Sequence, residues 1–144
     1  MDRVVVVGAA IIDRGRLLVA QRAHPPALAG GWELPGGKVD PGERDEDALV
    51  RECREELAVD VQLGARIEGE WFVPPSAVLR VWPAALVWGE PRALEHAALR
   101  WLAADELHDV AWLSADLPLL PHLEGLLNGH ALGSWEATGS DSNH

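Results

Sequence analysis

The chain has 144 residues, which suits one compact domain, and 48% of them are apolar, enough for a sizeable core. Its formal net charge of −11 is the wrong sign for a protein that follows a nucleic-acid backbone, so we expect no nucleic-acid polymer as a partner. The lone cysteine excludes an internal disulfide, and the sequence has neither a secretory leader nor a run of the roughly 18 apolar residues that a membrane span needs, so we expect a cytoplasmic protein without a membrane partner.

The first half of the chain is predicted to form strands followed by a helix. Residues 4–12 are a nearly continuous apolar run, which predicts a buried strand. A turn signal at 13–15 separates this run from a second predicted strand at 16–22, so the two are expected to form a hairpin. A helix is predicted after the Pro-Gly turn at 41–42. Its apolar stripe repeats every four residues, at Leu49, Cys53 and Leu57.

The second half of the chain alternates apolar stretches with turns. Three strands are predicted, at 59–72, 77–88 and 96–102. A short helix is predicted at 103–109, and Asp116 precedes a last helix that reaches about residue 127. One domain therefore spans 1–128, and the polar segment 129–144 is predicted to be a flexible tail. Strands outnumber helices, which predicts an α/β or α+β fold with a sheet flanked by helices.

Three glutamates of the predicted helix lie on one face. Glu52, Glu55 and Glu56 are spaced i, i+3 and i+4, and the apolar stripe holds the other face against the core. Carboxylate oxygens on a rigid element are the ligands of a Mg²⁺ or Mn²⁺ site, and an acidic protein needs such cations to bind polyphosphates. A solvated acidic face is the alternative. The preceding Gly36–Gly37 pair favours the metal site, because its backbone can approach a ligand closely.

The helix and the glycine pair together resemble a known motif. Gly37 is followed after five residues by Glu43 and after seven more by RECREELAV at 51–59, which resembles the Nudix box GX5EX7REUXEEXGU, where U is aliphatic. Ala58 stands where that family usually has Gly, so the turn after the helix either needs no positive φ or tolerates one under strain. The flanking LLVAQR and WELPGG segments are similar to the MutT-type branch, which contains 8-oxo-dGTP diphosphatases and CTP pyrophosphohydrolases.

The resemblance implies a fold and a metal site. The fold it implies is the Nudix α/β/α sandwich, a mixed sheet flanked by the box helix and a C-terminal helix. The implied cofactor is Mg²⁺, with Mn²⁺ as the second choice. The implied ligands are the Gly36 carbonyl and the carboxylates of Glu52, Glu55, Glu56 and Glu95. Glu55 could instead hold metal-bound water, the general base could be Glu52 or Glu95, and Glu95 could also be an ordinary surface acid.

The resemblance also implies substrate contacts. The candidates are Arg22, Trp32, Glu33, Gly36, Gly37, Lys38 and Asp116. Trp32 could stack on a base, and Arg22 is placed like a substrate-binding arginine of the MutT-type branch. Asp116 stands where that branch has a polar base-reading residue, and capping of the last helix is the alternative. An ionised Asp suits the amino group of cytosine, whereas a protonated one could pair with an oxidised purine. Arg51 and Glu43 are expected to form an ion pair that braces the helix.

The function implied is that of a Mg²⁺-dependent nucleoside triphosphate pyrophosphohydrolase, which converts NTP and water to NMP and pyrophosphate. It would sanitise the nucleotide pool by acting on oxidised or modified dNTPs such as 8-oxo-dGTP, on CTP or dCTP, or on both. A Nudix hydrolase of another substrate, such as a dinucleotide or a nucleotide sugar, is the second hypothesis. A non-catalytic nucleotide-binding domain is the third, and either a monomer or a homodimer is compatible with the sequence.

Overall fold

A computed structural model describes residues 4–129. The strands are β1 (Val4–Asp13), β2 (Arg16–Gln21), β3 (Trp32–Glu33), β4 (Gly36–Lys38), β5 (Asp60–Leu63), β6 (Trp71–Val73), β7 (Ala77–Trp88) and β8 (Ala98–Leu102). The α-helices are α1 (Asp45–Leu57) and α2 (Leu120–Leu127), and 3₁₀ helices lie at Ala104–Asp109 and Leu117–Leu119. The predicted flexible tail, 129–144, lies outside the described residues from position 130 onward. None of the helices in residues 4–129 is both long and apolar enough to cross a membrane.

The eight strands form one mixed sheet. The long strand β1 pairs in parallel with β7 and antiparallel with β4. Only its last residues, Ile12 and Asp13, pair with β2, which confirms the predicted hairpin but limits it to the tip. Strand β2 continues away from that tip and pairs with β3 and β8. The connection therefore places the end of β2 and the neighbouring ends of β3 and β8 together.

Side-chain alternation along β1 sorts the core into two layers. Val7, Ala9 and Ile11 pack in the cluster that contains the apolar stripe of α1. Ala10 belongs to the opposite cluster, in which the leucines of α2 are buried. A sheet with one helix packed on each face is an α/β/α sandwich, so the predicted layer arrangement is confirmed.

Three predicted element boundaries are wrong. The strand expected over 59–72 is two strands, β5 and β6, because its middle carries charged residues and Gly69 with φ +107°. Residue 96 precedes β8, which begins at Ala98. The last helix begins with a 3₁₀ turn at Leu117–Leu119 before α2, since prolines occupy the first turns of both segments.

The turn after α1 contains Ala58, at the position where the Nudix box usually has glycine. Ala58 has φ 60° and ψ 37°, the left-handed conformation, and its N–H donates to the Arg54 carbonyl. The turn therefore does need a positive φ, and this chain tolerates it at a cost of about 1–2 kcal/mol relative to glycine. The next residues run directly into β5, so the strained position reverses the chain without reaching the acidic face.

Candidate active site

The acidic face of α1 is fixed by the burial of its opposite face. Leu49, Cys53 and Leu57 are fully buried, as the four-residue repeat predicts. The glutamates lie at increasing distance from this core: Glu56 is 8% exposed as a residue, whereas the side chains of Glu52 and Glu55 are 15% and 51% exposed. Two of the three carboxylates are therefore held where water cannot fully solvate them.

The glycine pair lets strand β4 lie against these carboxylates. The Gly36 N–H donates to Glu56 Oε1 at 3.2 Å. A Cβ added at Gly37 would lie inside the van der Waals contact distance of the Glu52 carboxyl group. Only a residue without a side chain can occupy position 37 while Glu52 keeps this position. The pair forms one wall of the site.

The carboxylates crowd one another electrostatically. Burial, together with the negative charge of Glu52, raises the pKa of Glu56 to about 8, and Glu95 and Glu33 act in the same direction. Burial also raises the pKa of Glu52; the charges of Glu55 and Glu95 add to this, while Arg51 opposes it. Glu95 therefore lies close enough to both helix glutamates to act on them, although it is 39 positions or more away along the chain.

Arg51 braces the acidic face, as predicted. Its guanidinium donates two hydrogen bonds to Glu43, at 2.9 and 3.0 Å, and this pairing lowers the pKa of Glu43. The same group donates to Glu52 at 3.2 Å and to Glu55 at 3.0 Å. A further bond reaches the Lys38 carbonyl at 3.2 Å, which ties α1 to the end of β4. Arg51 therefore orients both the helix and its carboxylates.

A cavity of about 830 Å³ opens beside the glutamates. The predicted site residues that line it are Arg22, Glu33, Gly36, Gly37, Lys38, Glu52, Glu56, Glu95 and Asp116. Glu55 and Trp32 are not among its lining residues. Trp32 instead packs against the α2-side core, and its backbone bonds to Ala111 and Leu113. Stacking of Trp32 on a base stays a prediction.

Asp116 lines the same cavity, directly before the 3₁₀ turn at Leu117–Leu119. No side-chain hydrogen bond caps the following 3₁₀ turn, so the capping alternative is wrong. The residue is 7% exposed, and its Oδ2 accepts a hydrogen bond from the Leu34 N–H at 3.0 Å. Burial and, to a smaller extent, the charge of Glu33 raise the pKa of Asp116 to about 7, against the opposing effects of the Leu34 bond and Arg22. A buried acid with one oxygen bound to backbone keeps the other oxygen for a ligand.

The cavity also contains residues that the sequence did not single out. His96 lines it and bonds to Glu33, and an apolar wall comes from Val73, Pro74, Pro75 and Leu113. The Pro74–Pro75 step separates β6 from β7. Its place in the wall depends on the pairing of β6 with β7, which local patterns do not specify.

The donor set fits a hard divalent cation. The side chains that face the cavity near α1 offer carboxylate oxygens, and the glycine wall leaves room that a side chain would fill. Within residues 4–129, no three His, Cys, Asp or Glu side chains are already grouped in ligand geometry. Like charges repel, and Arg51 bonds to two of the carboxylates, so a cation would have to draw them together.

The fold and this site together define an enzyme of the phosphoric anhydride hydrolase class. Residues 2–123 match the family model described as the NUDIX domain, so the chain belongs to the Nudix family. Enzymes of this family act on nucleotide substrates and generally use divalent metals such as Mg²⁺. The family assignment confirms the resemblance drawn from the box residues.

Individual relatives agree with that assignment. A Mycobacterium tuberculosis (strain H37Rv) protein named "Putative 8-oxo-dGTP diphosphatase 2" is 46% identical over 130 residues, which cover 88% of this chain and 92% of the relative. The CTP pyrophosphohydrolase of Escherichia coli K12 is 38% identical over 121 residues, covering 82% and 90%. The solution structure of the E. coli ORF135 protein superposes with a TM-score of 0.74 at 34% identity, covering 88% of this chain and 91% of that one. A MutT NUDIX hydrolase from Burkholderia pseudomallei gives 0.70 at 35%, covering 83% and 97%.

Proposed function

We propose that this protein is a Mg²⁺-dependent nucleoside triphosphate pyrophosphohydrolase that converts NTP and water to NMP and pyrophosphate. Its substrates are modified dNTPs such as 8-oxo-dGTP, CTP-type pyrimidines, or both, and its role is to sanitise the nucleotide pool. One observation carries the proposal: a cluster of acidic oxygens and a buried base-reading candidate, Asp116, line the same cavity. A nucleotide would therefore present its phosphates to the acidic oxygens, the carboxylate end, and its base to Asp116, the base end. The names of the relatives support the same two substrate classes.

The carboxylate end would hold the cation. Its ligands would be the Gly36 carbonyl and the carboxylates of Glu52, Glu55, Glu56 and Glu95, and the bound cation would neutralise phosphate charge and acidify water. Lys38 and Arg22, which line the cavity, supply the positive charge that a polyphosphate needs from the protein itself.

Proton transfer is assigned to one of two acids in the cavity. Glu52 and Glu95 are the candidates for the base that takes the proton from the attacking water. Arg51 orients Glu52 through its 3.2 Å bond, whereas Glu95 stands on the loop before β8. If Glu95 is the general base, Glu95→Gln should lose turnover. If Glu95 is an auxiliary metal ligand, the variant should mainly lose affinity for the cation.

The base end can serve two kinds of base because Asp116 titrates near neutrality. Ionised Asp116 only accepts hydrogen bonds, which suits the amino donor of cytosine. Protonated Asp116 also donates one, which suits the carbonyl oxygen of an oxidised purine. The charged groups that face it are Glu33, which favours protonation, and Arg22, which favours ionisation. Both protonation states are therefore populated around pH 7.

A substrate panel tests the proposal. Purified protein with Mg²⁺ is expected to release pyrophosphate and a monophosphate from 8-oxo-dGTP, dCTP, 5-methyl-dCTP or CTP. The ratio of kcat/KM for 8-oxo-dGTP over dCTP should be higher at pH 6 than at pH 8, because protonation of Asp116 favours the purine. Effects of pH on the shared carboxylate site cancel in this ratio. Two monophosphates from a dinucleotide or nucleotide sugar, with no pyrophosphate from the panel, would contradict the proposal.

Asp116 also makes a prediction about stability. Its folded pKa of about 7 lies above the ordinary value of 3.8, so its contribution to stability is complete below about pH 4 and is lost as pH rises through 7. Asp116→Asn keeps an acceptor for the Leu34 N–H and removes the charge. We expect the variant to gain about 1–4 kcal/mol over the wild type at pH 8 and little at pH 4.

Urea unfolding at the two pH values measures this difference. Asp109→Asn, at an exposed position of the 3₁₀ helix Ala104–Asp109, is the matched control for the substitution itself. An equal effect of Asp116→Asn at pH 4 and pH 8 would show that Asp116 does not titrate in this range.

A further inference from the structure

Three polar residues at or next to the ends of three strands meet beside the cavity. Gln21 of β2 pairs with Trp32 of β3 on one side and with Ala98 of β8 on the other. Each strand then places one polar residue next to this junction: Arg22 follows β2, Glu33 ends β3, and His96 precedes β8. All three line the cavity.

Glu33 is held through one of its two oxygens. The Nε2 of His96 lies 3.1 Å from Glu33 Oε2, and the Nε of Arg22 lies 3.0 Å from the same oxygen. A carboxylate only accepts hydrogen bonds, so the His96 proton belongs on Nε2. The Arg22 contact is an ion pair without hydrogen-bond alignment, since its buried Nε has no hydrogen-bond partner within residues 4–129. His96 is therefore the aligned donor that sets the direction of the carboxylate.

The burial of His96 is unusual for a residue with only a structural contact. Its side chain is 7% exposed, and its Nδ1 has no hydrogen-bond partner in the described part of the chain. A buried ring nitrogen without a partner loses its hydrogen bonds to water and gains none in return. An apolar side chain would avoid that cost, so stability alone does not explain a histidine at this position.

We propose that His96 is a positioning residue, which fixes Glu33 through Oε2 so that Oε1 accepts a hydrogen bond from an amino or hydroxyl group of the nucleoside. The inference rests on the proposed function and assigns to His96 a role in substrate affinity. Glu33 lines the cavity and acts electrostatically on both Glu56 and Asp116, so it is near both the acidic oxygens and the base-reading candidate.

The effect should fall on binding because the loop that carries Glu95 is tethered independently. The Arg92 N–H donates to the Leu57 carbonyl at 2.9 Å, and the Leu94 N–H donates to the Glu56 carbonyl at 3.1 Å. On the other side, Ala97 donates to the Gln21 carbonyl at 2.8 Å. Loss of the His96 side chain therefore leaves Glu95 in place, and the carboxylate cluster stays intact.

Two substitutions of similar size separate positioning from packing. In His96→Gln the amide nitrogen can reach the place of Nε2, whereas in His96→Asn it reaches only that of Nδ1. We expect His96→Asn to raise KM for the best substrate of the panel about tenfold, with kcat within about threefold, because uniform binding is lost. His96→Gln should restore KM to within about threefold of the wild type. His108→Asn, at an exposed position, is the control for the substitution itself.

A substrate without sugar hydroxyls identifies the group that donates to Glu33. If the KM penalty of His96→Asn disappears with a 2′,3′-dideoxy substrate, the donor to Glu33 is the sugar hydroxyl; if it persists, the donor is on the base. Equal KM values for the Gln and Asn variants at equal unfolding midpoints, or a loss confined to kcat, overturn the proposal. A wild type without turnover refutes the proposed function, and the same comparison is then made on dissociation constants for dCMP and 8-oxo-dGMP. A wild type that binds neither overturns both.

Discussion

Glu56→Gln is expected to lower kcat on the order of 10³-fold or more and to leave the fold intact. The carboxylate is buried among Glu52, Glu95 and the Gly36 N–H, so its charge is the one that a cation in this position would offset most directly. Glutamine has nearly the same shape and keeps an oxygen that accepts from Gly36. The substitution therefore removes the charge and little else.

Thermal unfolding with and without Mg²⁺ tests the role of Glu56 in cation binding independently of turnover. Cation binding to the folded state alone raises the unfolding temperature of the wild type. Glu56→Gln should lose most of that rise, while its unfolding temperature in EDTA stays at or above that of the wild type, because glutamine cannot take on the unfavourable buried charge that raises the pKa of Glu56. Glu124→Gln on the exposed side of α2 is the matched control and should keep both turnover and the Mg²⁺ response. Retained turnover in Glu56→Gln would refute the metal assignment.

Gly37→Ala is expected to lower kcat about 100-fold or more with a small change in stability. The added methyl group collides with the carboxyl group of Glu52, which is the free end of a flexible side chain and can move aside. The fold therefore accommodates the methyl group, but the displaced carboxylate no longer meets the position that the reaction requires. Displacements near 1 Å at a reacting site cost about this much in rate.

Two other glycines provide the comparison. At Gly36 the added Cβ would collide with the Val7 carbonyl, which belongs to the backbone of β1 and cannot move aside, so Gly36→Ala should lose stability first. At Gly42 a Cβ would touch nothing within 4 Å; Gly42→Ala should keep kcat and lose only the stability that its φ of +80° costs an alanine. Activity and urea unfolding of the three variants together test the assignment. If Gly37→Ala loses stability and activity in parallel, as Gly36→Ala should, Glu52 is not the group that it disturbs.

The sequence by itself determined the features that depend on local periodicity. The four-residue repeat through Leu49, Cys53 and Leu57 fixed which face of α1 is buried, and the three box glutamates had to lie on the other side. The ion pair between Arg51 and Glu43 was also predicted, but from the resemblance to the Nudix box rather than from periodicity. Helical spacing acts over a few residues, so it is legible in the chain itself.

Only the tertiary structure decided the features that depend on strand register. Asp116 meets the Leu34 N–H across 82 positions of sequence, and His96 meets Glu33 across 63. Local pattern offered only a helix cap for Asp116, whose base-reading role came from the family resemblance, and no role for His96. Strand pairing is set by the burial of whole sheet faces, and a shift of one residue would turn every side chain to the other face. The partners of Asp116 and Glu33, and with them this part of the cavity lining, are therefore properties of the packed sheet.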